Sequence, residues 1–356
     1  MHELKIALVG WGYWGPKIAR NIHSIPQAQL AWVADSDPQR LAKVRADMPW
    51  VRATTDAAEV FASDADAVVI ATPVRSHHTL ARQALLAGKH VLVEKPLTAS
   101  VAEAEDLVAL AQEMRLTLMV GHTFVYSPPV TELREIIRAN ELGHVLSLSA
   151  ERLNLGIFRS DTDVIWDLAP HDVSIILYLL GEMPSRVRAT ARDHLRRDIC
   201  DTAHLEFEFD GGTTAHVHVS WLHPEKTRRV SIIGDSRMAI YDDTNPSEAL
   251  RIFNVGADEY ADPEVASRAG RISIPHIDWS EPLRAEVEDF AHAITTGALP
   301  RASALDGLRV VRILEAAHHA LVTGRSIEIA ADSAATLMDV TLPMRHEVGE
   351  FEDLLD

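Results

Sequence analysis

Two side chains that can exchange a proton with a substrate, Asp167 and His171, lie four positions apart in the helical pattern Trp166–Leu180. That spacing places both on one face of a helix. The ordinary pKa of histidine, about 6.5, suits a base that removes a hydroxyl proton near neutral pH. We predict that His171 is this base and that Asp167 fixes its tautomer or binds the substrate. The structural alternative is a helix-capping aspartate and a core histidine.

A lysine stands at the end of a strand in Glu94-Lys95-Pro96, and Thr72-Pro73 follows the preceding strand. Proline fixes its own φ and restricts the residue before it, so the lysine is held stiffly. Ligands of open parallel sheets bind beyond the carboxyl ends of the strands. We predict that both segments border a cofactor crevice and that Lys95 polarises the reacting hydroxyl. An ordinary solvent-facing lysine fits the spacing equally well.

A glycine-rich loop joins the first predicted strand to the first predicted helix. It has the pattern GxGxxG, with the residues Gly10, Trp11, Gly12, Tyr13, Trp14 and Gly15. The first glycine permits a tight turn, the second lets the backbone approach a pyrophosphate, and the third lets helix and strand pack closely. The amides at the helix N-terminus favour a phosphate there. We predict a dinucleotide site rather than a turn without a ligand.

The choice between NAD and NADP depends on Asp35, which ends the second predicted strand and precedes Ser36. A carboxylate at this place accepts hydrogen bonds from the adenosine ribose hydroxyls. Beside a 2′-phosphate it would cost about 4 kcal/mol for a unit charge pair at about 4 Å and an effective dielectric of about 20. Arg40, one turn into the next helix, would soften the preference if it reached the phosphate. We predict NAD.

The elements that must position these groups alternate in the first third of the chain. The predicted strands are Lys5–Val9, Gln29–Ala34, Ala67–Ala71, His90–Val93 and Thr117–Val120. The predicted helices are Pro16–His23, Pro38–Met48, Ser76–Ala87 and Ser100–Met114. Such alternation of apolar strands and amphipathic helices predicts a Rossmann-type, doubly wound parallel sheet with helices on both faces.

The pattern changes after His122. Helices are predicted at Pro129–Asn140, Trp166–Leu180, Pro282–Thr296 and Ala304–Thr323, and a strand at Val145–Asn154. Four runs with a period of two follow one another: Ala203–Phe209, Thr213–Trp221, Arg228–Gly234 and Arg237–Tyr241. Glycine-rich turns separate the members of the first and last pairs, and we predict that all four runs are neighbouring antiparallel strands. We therefore predict a cofactor domain at residues 1–122, an α/β domain at residues 123–330 and an acidic tail at residues 331–356.

Composition narrows the class of partner. The 356 residues carry a formal net charge of -18, which disfavours nucleic acid as the main ligand. One cysteine, Cys200, cannot form an internal disulfide, and no Cys/His cluster predicts structural zinc. The N-terminus lacks the regions of a signal peptide, and no apolar run is long enough for a membrane span. We predict a cytoplasmic protein that takes a small molecule and binds neither nucleic acid nor membrane.

Taken together, Gly10–Gly15, Asp35, Glu94-Lys95-Pro96 and Asp167–Asp172 resemble the glucose-fructose oxidoreductase / inositol dehydrogenase / MocA (Gfo/Idh/MocA) family. The similarity runs from Lys5 to about Ile329. It implies a Rossmann domain followed by an α/β domain with a large, open and mostly antiparallel sheet, which commonly assembles dimers or tetramers. It also implies that Lys95 lies near the reacting hydroxyl and the nicotinamide, and that Asp167 and His171 form the D-x-x-x-H pair of the family.

Two segments of the chain point within that family to a branch. Many members carry a glycine-rich stretch where this chain has Asp163–Trp166, a departure from the pattern of a generic polyol dehydrogenase. Arg152–Gly156, followed by Trp166–Asp172, resembles the branch that acts on nucleotide-activated sugars. That branch includes the 3-dehydrogenases of UDP-N-acetylglucosamine and of its uronic acid in polysaccharide assembly. The alternatives are an inositol or free-sugar dehydrogenase, an NADP-linked sugar ketoreductase and a non-catalytic dinucleotide sensor. A sensor has no need of a proton-transfer set.

Several other residues are candidates that have an equally good structural interpretation. We predict that His77 and His122 border the cofactor, and that Tyr126, Arg152 and Asn154 contact the substrate. Three further sets are weaker: Arg159 as an anion ligand, the basic run Lys226, Arg228 and Arg229 as a phosphate site, and His216 with His218 on one strand face. Because no third ligand is evident beside the two histidines, we predict no metal.

Overall fold

The computed structural model describes residues 3–259, 265–268 and 270–330, so the predicted tail at 331–356 lies outside the described residues. The first domain has the strands β1 Leu4–Val9, β2 Ala28–Ala34, β3 Arg52–Thr54, β4 Ala67–Ile70, β5 His90–Glu94 and β6 Leu118–Gly121. Its helices are α1 Gly15–His23, α2 Pro38–Asp47, α3 Ala57–Phe61, α4 His77–Leu86 and α5 Val101–Met114. The sheet order is β3-β2-β1-β4-β5-β6, all parallel, which confirms the predicted Rossmann fold.

Over its described residues, the second half contains four α-helices and eleven strands. The helices are α6 Pro128–Arg138, α7 Val164–Leu180, α8 Pro282–Thr296 and α9 Ala304–Thr323. The strands are β7 Val145–Leu155, β8 Arg186–Arg192, β9 Thr202–Glu208, β10 Thr214–Ser220, β11 Leu222–Gly234, β12 Met238–Asp242, β13 Leu250–Phe253, β14 Gly256–Glu259, β15 Val265–Arg268, β16 Ile272–Ser273 and β17 Ile327–Glu328. β14 and β15 form a separate two-stranded sheet, and the others form one sheet of nine strands.

The order of the large sheet is β16-β13-β12-β11-β7-β10-β9-β8-β17. Its pairs are antiparallel except β7 with β10, which confirms a mostly antiparallel sheet. One part of the prediction is wrong, because β10 and β11 follow each other in the chain but lie on either side of β7. The connection from β7 to β10 contains α7, and a crossover of that length is what a parallel pair requires.

Two helices late in the chain contact the core of the parallel sheet, and one of them, α9, also contacts the core of the nine-stranded sheet. Leu283, Val287 and Phe290 of α8 pack into the core of the parallel sheet. One side of α9 joins that core through Leu308 and Val311, while another joins the core of the nine-stranded sheet. The boundaries predicted from the sequence assign both helices to the second domain alone. Within the described ranges, no helix combines the length and the apolar character that crossing a bilayer requires.

The start of α7 determines where the predicted catalytic pair lies. Asp163 is the N-cap, and its side chain accepts hydrogen bonds from the backbone N–H groups of Ile165 and Trp166. Such a cap satisfies amides that lack an intrahelical partner. The helix cap, which is the structural alternative for Asp167, is therefore formed by Asp163, and the Asp167 carboxylate is available for other contacts.

Candidate active site

A cavity of about 570 Å³ opens beyond the carboxyl ends of β1, β2, β4 and β5. It brings together most of the predicted cofactor residues: Gly10, Gly12, Tyr13, Trp14, Asp35, Ser36, Arg40, Thr72, Pro73, Glu94, Lys95 and Pro96. The other wall comes from the second domain, with Arg159, Trp166 and Asp167. The carboxyl end of a parallel sheet is where this class of fold binds ligands. We refer to this space as the cofactor cavity.

The three glycines of the loop differ in what surrounds them. Gly10 has a φ of +105°, and a Cβ there would lie 2.7 Å from the carbonyl carbon of Ala71. A Cβ on Gly15 would lie 2.6 Å from the carbonyl oxygen of Gly10. A Cβ on Gly12, which lines the cofactor cavity, would meet no atom within 4 Å. The outer glycines are thus required by the protein's own backbone, whereas the space beside Gly12 suits a pyrophosphate.

The Asp35 carboxylate is buried and anchors the loop. Its Oδ2 accepts a hydrogen bond of 2.6 Å from the Trp11 N–H, and its Oδ1 accepts one of 2.8 Å from the Asp37 N–H. Arg40 Nη1 lies 3.4 Å from Oδ2, with about half of the Arg40 side chain exposed. The carboxylate therefore stands at the end of β2, where the ribose of a dinucleotide would lie. The residues present fit such a cofactor.

His77 lies beneath the cofactor cavity rather than in its wall. Its buried ring makes contacts of 2.9 Å with the carbonyl oxygen of Pro96 and 2.8 Å with that of Thr72. Because these two carbonyls belong to the loops that follow β4 and β5, His77 joins the loops to each other. His77 therefore positions the wall of the cofactor cavity, and it does not line the cavity itself as predicted.

Lys95 connects the two domains at the inner end of the cavity. Its ammonium donates a 2.7 Å hydrogen bond to the backbone carbonyl of Asp167 and lies 3.9 Å from the Asp167 carboxylate. Burial lowers the pKa of Lys95 below its ordinary value, while the nearby charges of Asp167 and Glu94 act in the opposite direction. The fold thus brings the end of β5 and the first turns of α7 into direct contact.

The Asp167 carboxylate is engaged by residues other than His171. Its Oδ1 accepts a 2.9 Å hydrogen bond from Arg159 Nε, and its Oδ2 accepts a 3.1 Å hydrogen bond from Trp221 Nε1. Arg159 was predicted to bind an anionic group of a ligand, and in the structure it binds the Asp167 carboxylate instead. The structure does not show Asp167 fixing the His171 tautomer, which leaves substrate binding as its predicted role. Trp221, at the end of β10, was missed by sequence reasoning.

The ring of His171 faces a second cavity. It packs edge-to-face against Phe124 at 5.0 Å between ring centroids, and its Nδ1 is enclosed without a hydrogen-bond partner among the described residues. Burial lowers the pKa of His171 well below its ordinary value, and the positive charges of Lys95 and Arg152 act in the same direction. The ring is therefore neutral near pH 7.

This second cavity, of about 310 Å³, is the candidate substrate cavity. It shares Trp14, Glu94 and Lys95 with the cofactor cavity. The other residues that matter for its chemistry are Lys17, Phe124, Arg152, Asn154, His171, Lys226, Arg228, Asp243 and Glu281. Lys17 and Phe124 were missed by sequence reasoning, although Lys17 lies only two positions beyond the glycine motif.

Arg152 is fixed by a buried ion pair. Its Nε and Nη2 donate hydrogen bonds of 2.8 and 2.9 Å to the two carboxylate oxygens of Asp172, which follows His171 on α7. Its guanidinium also lies 4.4 Å from the centroid of the Phe124 ring. Two parallel hydrogen bonds fix the orientation of an arginine. The predicted substrate contact would have to use Nη1, the side of the guanidinium that this pair leaves available.

Two predicted residues lie outside both cavities. A single 3₁₀ turn, Thr123–Tyr126, follows β6 and directs the Tyr126 ring toward α8. The Tyr126 hydroxyl donates a 2.7 Å hydrogen bond to Asp289 and accepts one of 3.2 Å from the Ala302 N–H. The structure therefore gives Tyr126 a packing role instead of the predicted substrate contact. His122 is buried and lines neither cavity, and burial lowers its pKa to about 3. Its predicted cofactor contact is likewise not seen.

The outer face of the nine-stranded sheet carries His216 and His218. The ring of His218 stacks on His204 of β9 with 4.0 Å between centroids. The described part of the chain contains no group of three or more His, Cys, Asp or Glu side chains arranged to hold a metal ion. Arg229 is paired with Asp242 at 3.1 Å and does not line the substrate cavity, unlike its neighbour Arg228.

Family models match both halves of the chain. Residues 4–122 match an oxidoreductase family with an NAD-binding Rossmann fold, and residues 130–240 match the GFO/IDH/MocA C-terminal domain. The chain is 34% identical to a UDP-N-acetylglucosamine 3-dehydrogenase of Acidithiobacillus ferrooxidans over 89% of its own length and 96% of that protein. It is 30% identical to D-xylose 1-dehydrogenase (NADP(+)) 2 of Haloferax volcanii, over 85% of this chain and 92% of that protein.

A solved structure is similar in fold as well. GenD2 from gentamicin A biosynthesis, crystallised in complex with NAD, superimposes with a TM-score of 0.80 at 26% identity, covering 93% of this chain and 97% of GenD2. Both domains therefore have counterparts in a protein that holds a dinucleotide.

Proposed function

The chain belongs to the Gfo/Idh/MocA family of oxidoreductases, which act on CH–OH groups, and we propose that its substrate is a sugar or nucleotide-sugar. In this proposal the enzyme uses NAD to oxidise a secondary hydroxyl of C3 type. UDP-N-acetylglucosamine and its uronic acid are examples of such a substrate. One observation carries the proposal. Lys95 stands in the wall of both cavities, within hydrogen-bond distance of the helix that carries His171. A hydroxyl between the two side chains would therefore lie next to the cofactor cavity.

The chemistry divides between the cofactor and the protein. A nicotinamide in the cofactor cavity would take up the two electrons and the hydrogen that leave the sugar carbon. The protein's part is the proton on the hydroxyl oxygen. His171, neutral near pH 7, accepts that proton, and a positioned base of this kind contributes about 10²–10⁴ in rate. The Lys95 ammonium stabilises the negative charge that develops on the oxygen.

The surroundings hold these two groups in place. The Asp167 backbone carbonyl fixes the Lys95 ammonium, and the Arg152–Asp172 ion pair fixes the helix face that carries His171. Both side chains are largely withdrawn from solvent, which strengthens their electrostatic action on the substrate. The Asp167 carboxylate lines the cofactor cavity 3.9 Å from Lys95, and in this proposal a substrate hydroxyl that reaches Lys95 also contacts it.

Asp35 supports NAD over NADP. Its buried carboxylate stands at the end of β2, where a 2′-phosphate would meet a like charge. Arg40, 3.4 Å away, is the one observation that favours NADP, and the Haloferax volcanii relative is an NADP enzyme by name. An NADP-linked ketoreductase and an inositol or free-sugar dehydrogenase are therefore the alternatives to test.

We also propose that the outer face of the nine-stranded sheet forms a homodimer or homotetramer. The face carries alternating polar side chains on β9 and β10, including His204, His216 and Glu206, and no helix covers it among the described residues. Soluble homo-oligomers most often close about a two-fold axis, so that the same surface of each copy meets the other. Light scattering of the purified chain tests this proposal.

The test of the reaction replaces Lys95 by Met and His171 by Asn. With a panel of nucleotide-sugars, free sugars and inositol, and with NAD and NADP in turn, we expect kcat/KM of both variants to fall by about 10²–10⁴ while the Kd of NAD changes little. Lys43→Met and His292→Asn are matched controls, since both side chains are exposed and outside the cavities. Near-normal turnover by either active-site variant contradicts the assignment.

A further inference from the structure

The substrate cavity is basic, in a protein whose net charge is -18. Its cationic lining residues are Lys17, Lys95, Arg152, Lys226 and Arg228, and its acidic ones are Glu94, Asp243 and Glu281. Both arginines have carboxylate partners, Arg152 in Asp172 and Arg228 in Asp243 at 3.0 Å. Lys17 and Lys226 form no ion pair with any residue that the structure describes. The charge excess of the cavity therefore resides in two lysines.

The lining residues of this cavity differ in exposure. Lys95, beside which the reacting hydroxyl would lie, has a side chain that is only 14% exposed. Lys226, by contrast, is exposed, and Lys17 lies beside Trp14, which is 39% exposed. The cavity thus has an enclosed reacting end and an open, positively charged mouth.

Aromatic residues from the glycine loop hold Lys17 at this mouth. The Lys17 ammonium lies 3.5 Å from the centroid of the Tyr13 ring and 4.5 Å from that of Trp14, and the two rings meet edge-to-face at 5.5 Å. Tyr13 is 76% exposed. Cation–π contacts of this kind orient an ammonium group without neutralising its charge. Two of the three variable positions of GxGxxG, Tyr13 and Trp14, therefore also orient Lys17.

Two elements supply the cations of the mouth. Lys17 of α1 and Lys226 and Arg228 of β11 line the same cavity of about 310 Å³. In line with that placement, Lys17 lowers the pKa of the Tyr13 phenol, chiefly through a hydrogen bond, and the charges of Arg228 and Lys226 act in the same direction. We call Lys17, Lys226 and Arg228, with Trp14 as a wall, the rim cluster.

We propose that the rim cluster binds the diphosphate of a nucleotide-sugar while the sugar reaches Lys95 and His171. The inference rests on the proposed function for the position of the sugar and names the charged group that accompanies it. Three cations, two of them without a carboxylate partner, match a group with two negative charges better than a single uronate carboxylate. Trp14 offers a flat surface to the rest of the nucleotide.

The pyrophosphate of the cofactor is a poor candidate for the ligand of the rim cluster. Its pyrophosphate has the space beside Gly12 in the cofactor cavity, and none of Lys17, Lys226 and Arg228 lines that cavity. The rim cluster therefore serves the second ligand. Because its charges are partly exposed, binding should weaken as salt is added.

The test measures binding rather than turnover. The full chain is saturated with NADH, so that the cofactor cavity is filled, and is titrated in a calorimeter with UDP, uridine and glucuronate. We expect UDP to bind more tightly than uridine. We expect Lys226→Ala and Lys17→Ala each to weaken UDP binding by about threefold to tenfold, with no change for uridine. Lys43→Ala on α2 is the control for the loss of a surface charge, and NADH affinity is measured for every variant.

The outcomes separate the inference from the reaction. Equal affinity for UDP and uridine, or equal UDP affinity in Lys226→Ala and Lys43→Ala, overturns the inference even if a sugar is oxidised. A Lys226→Ala variant that loses glucuronate binding and keeps UDP binding overturns the choice of a diphosphate. UDP binding that depends on the rim cluster supports the inference even if every sugar in the panel fails as a substrate, in which case the proposed reaction fails alone.

Discussion

The two cavities share Lys95 and Glu94 but are built by different means. The cofactor cavity is shaped by backbone: the turn at Gly10, the open space at Gly12 and the strand ends of the parallel sheet. The substrate cavity is shaped by charged side chains that hold one another, such as Arg152 with Asp172. Adding a Cβ to a loop glycine should therefore disrupt the cofactor cavity, whereas removing one member of an ion pair should disrupt the substrate cavity.

The largest effect is expected in the backbone-built cavity. In Gly10→Ala the new Cβ meets the Ala71 carbonyl and the residue must keep a φ of +105°, so we expect a loss of stability of more than about 4 kcal/mol and no measurable NAD binding. Gly12→Ala has no such clash, so the protein should keep its unfolding midpoint and bind NAD at least about tenfold more weakly. Urea unfolding and NAD titration of both variants measure the difference.

That pair of variants tests the comparison directly. Gly88→Ala is a control, because Gly88 also has a positive φ, +75°, yet its Cβ would meet no atom within 4 Å. It isolates the cost of backbone strain from the cost of the clash. If Gly10→Ala were no less stable than Gly88→Ala, the close approach of β1 to the loop after β4 would not shape the cavity.

The next effect is expected in the cavity built from side chains. Asp172→Asn leaves the buried Arg152 charge without its carboxylate, and breaking a buried pair costs about 3–5 kcal/mol. The arginine would also lose its fixed orientation beside Phe124, so kcat/KM should fall as well. Urea unfolding measures the stability.

A second variant separates charge from packing. Arg152→Met with Asp172→Leu removes both charges together, and we expect it to recover most of the stability but not the activity. If the double variant were as unstable as Asp172→Asn, the loss would come from packing, and the contrast between the two cavities would weaken.

The parallel sheet was predictable because each of its elements is local. Apolar runs such as Ala67–Ile70 and the cap Ser100 identify strands and helix starts from a few neighbouring residues. β3 and α3 were missed because three and five residues are too short to show a period. The neighbours of β7 were not predictable either, because a sheet order with a crossover depends on contacts between residues far apart in the chain.

The same distinction holds for the candidate site. Gly10, Gly12, Asp35 and Lys95 fall at fixed places relative to strand ends, so their positions followed from the motif. The partners of Asp167 did not, because Trp221 lies 54 residues away in the chain and only the folded sheet brings it near. Tyr126 was assigned to the substrate for the opposite reason: closeness in sequence to a strand end does not show which way a ring points.

The smallest effect concerns a buried carboxyl behind the shared wall of the cavities. Glu286 of α8 accepts hydrogen bonds from the Thr123 hydroxyl, and burial raises its pKa well above the ordinary value, with the Glu94 charge acting in the same direction. The folded protein therefore holds a proton that the unfolded chain releases. The stability due to this proton is complete below the unfolded pKa and falls by about 1.4 kcal/mol per pH unit up to the folded pKa.

Glu286→Gln removes that titration while keeping an amide that can bond to Thr123. We expect the variant to be more stable than the parent at pH 8, by about 1 kcal/mol, and to lose the advantage near pH 4, as urea unfolding across this range would show. Glu288→Gln, two positions along the same helix and exposed, should change stability by less than about 0.5 kcal/mol at either pH. A Glu286→Gln protein whose stability matched that of the parent at every pH would mean that the Glu286 carboxyl is not protonated in the folded protein. Glu286 would then add a negative charge close to Glu94, which lines both cavities.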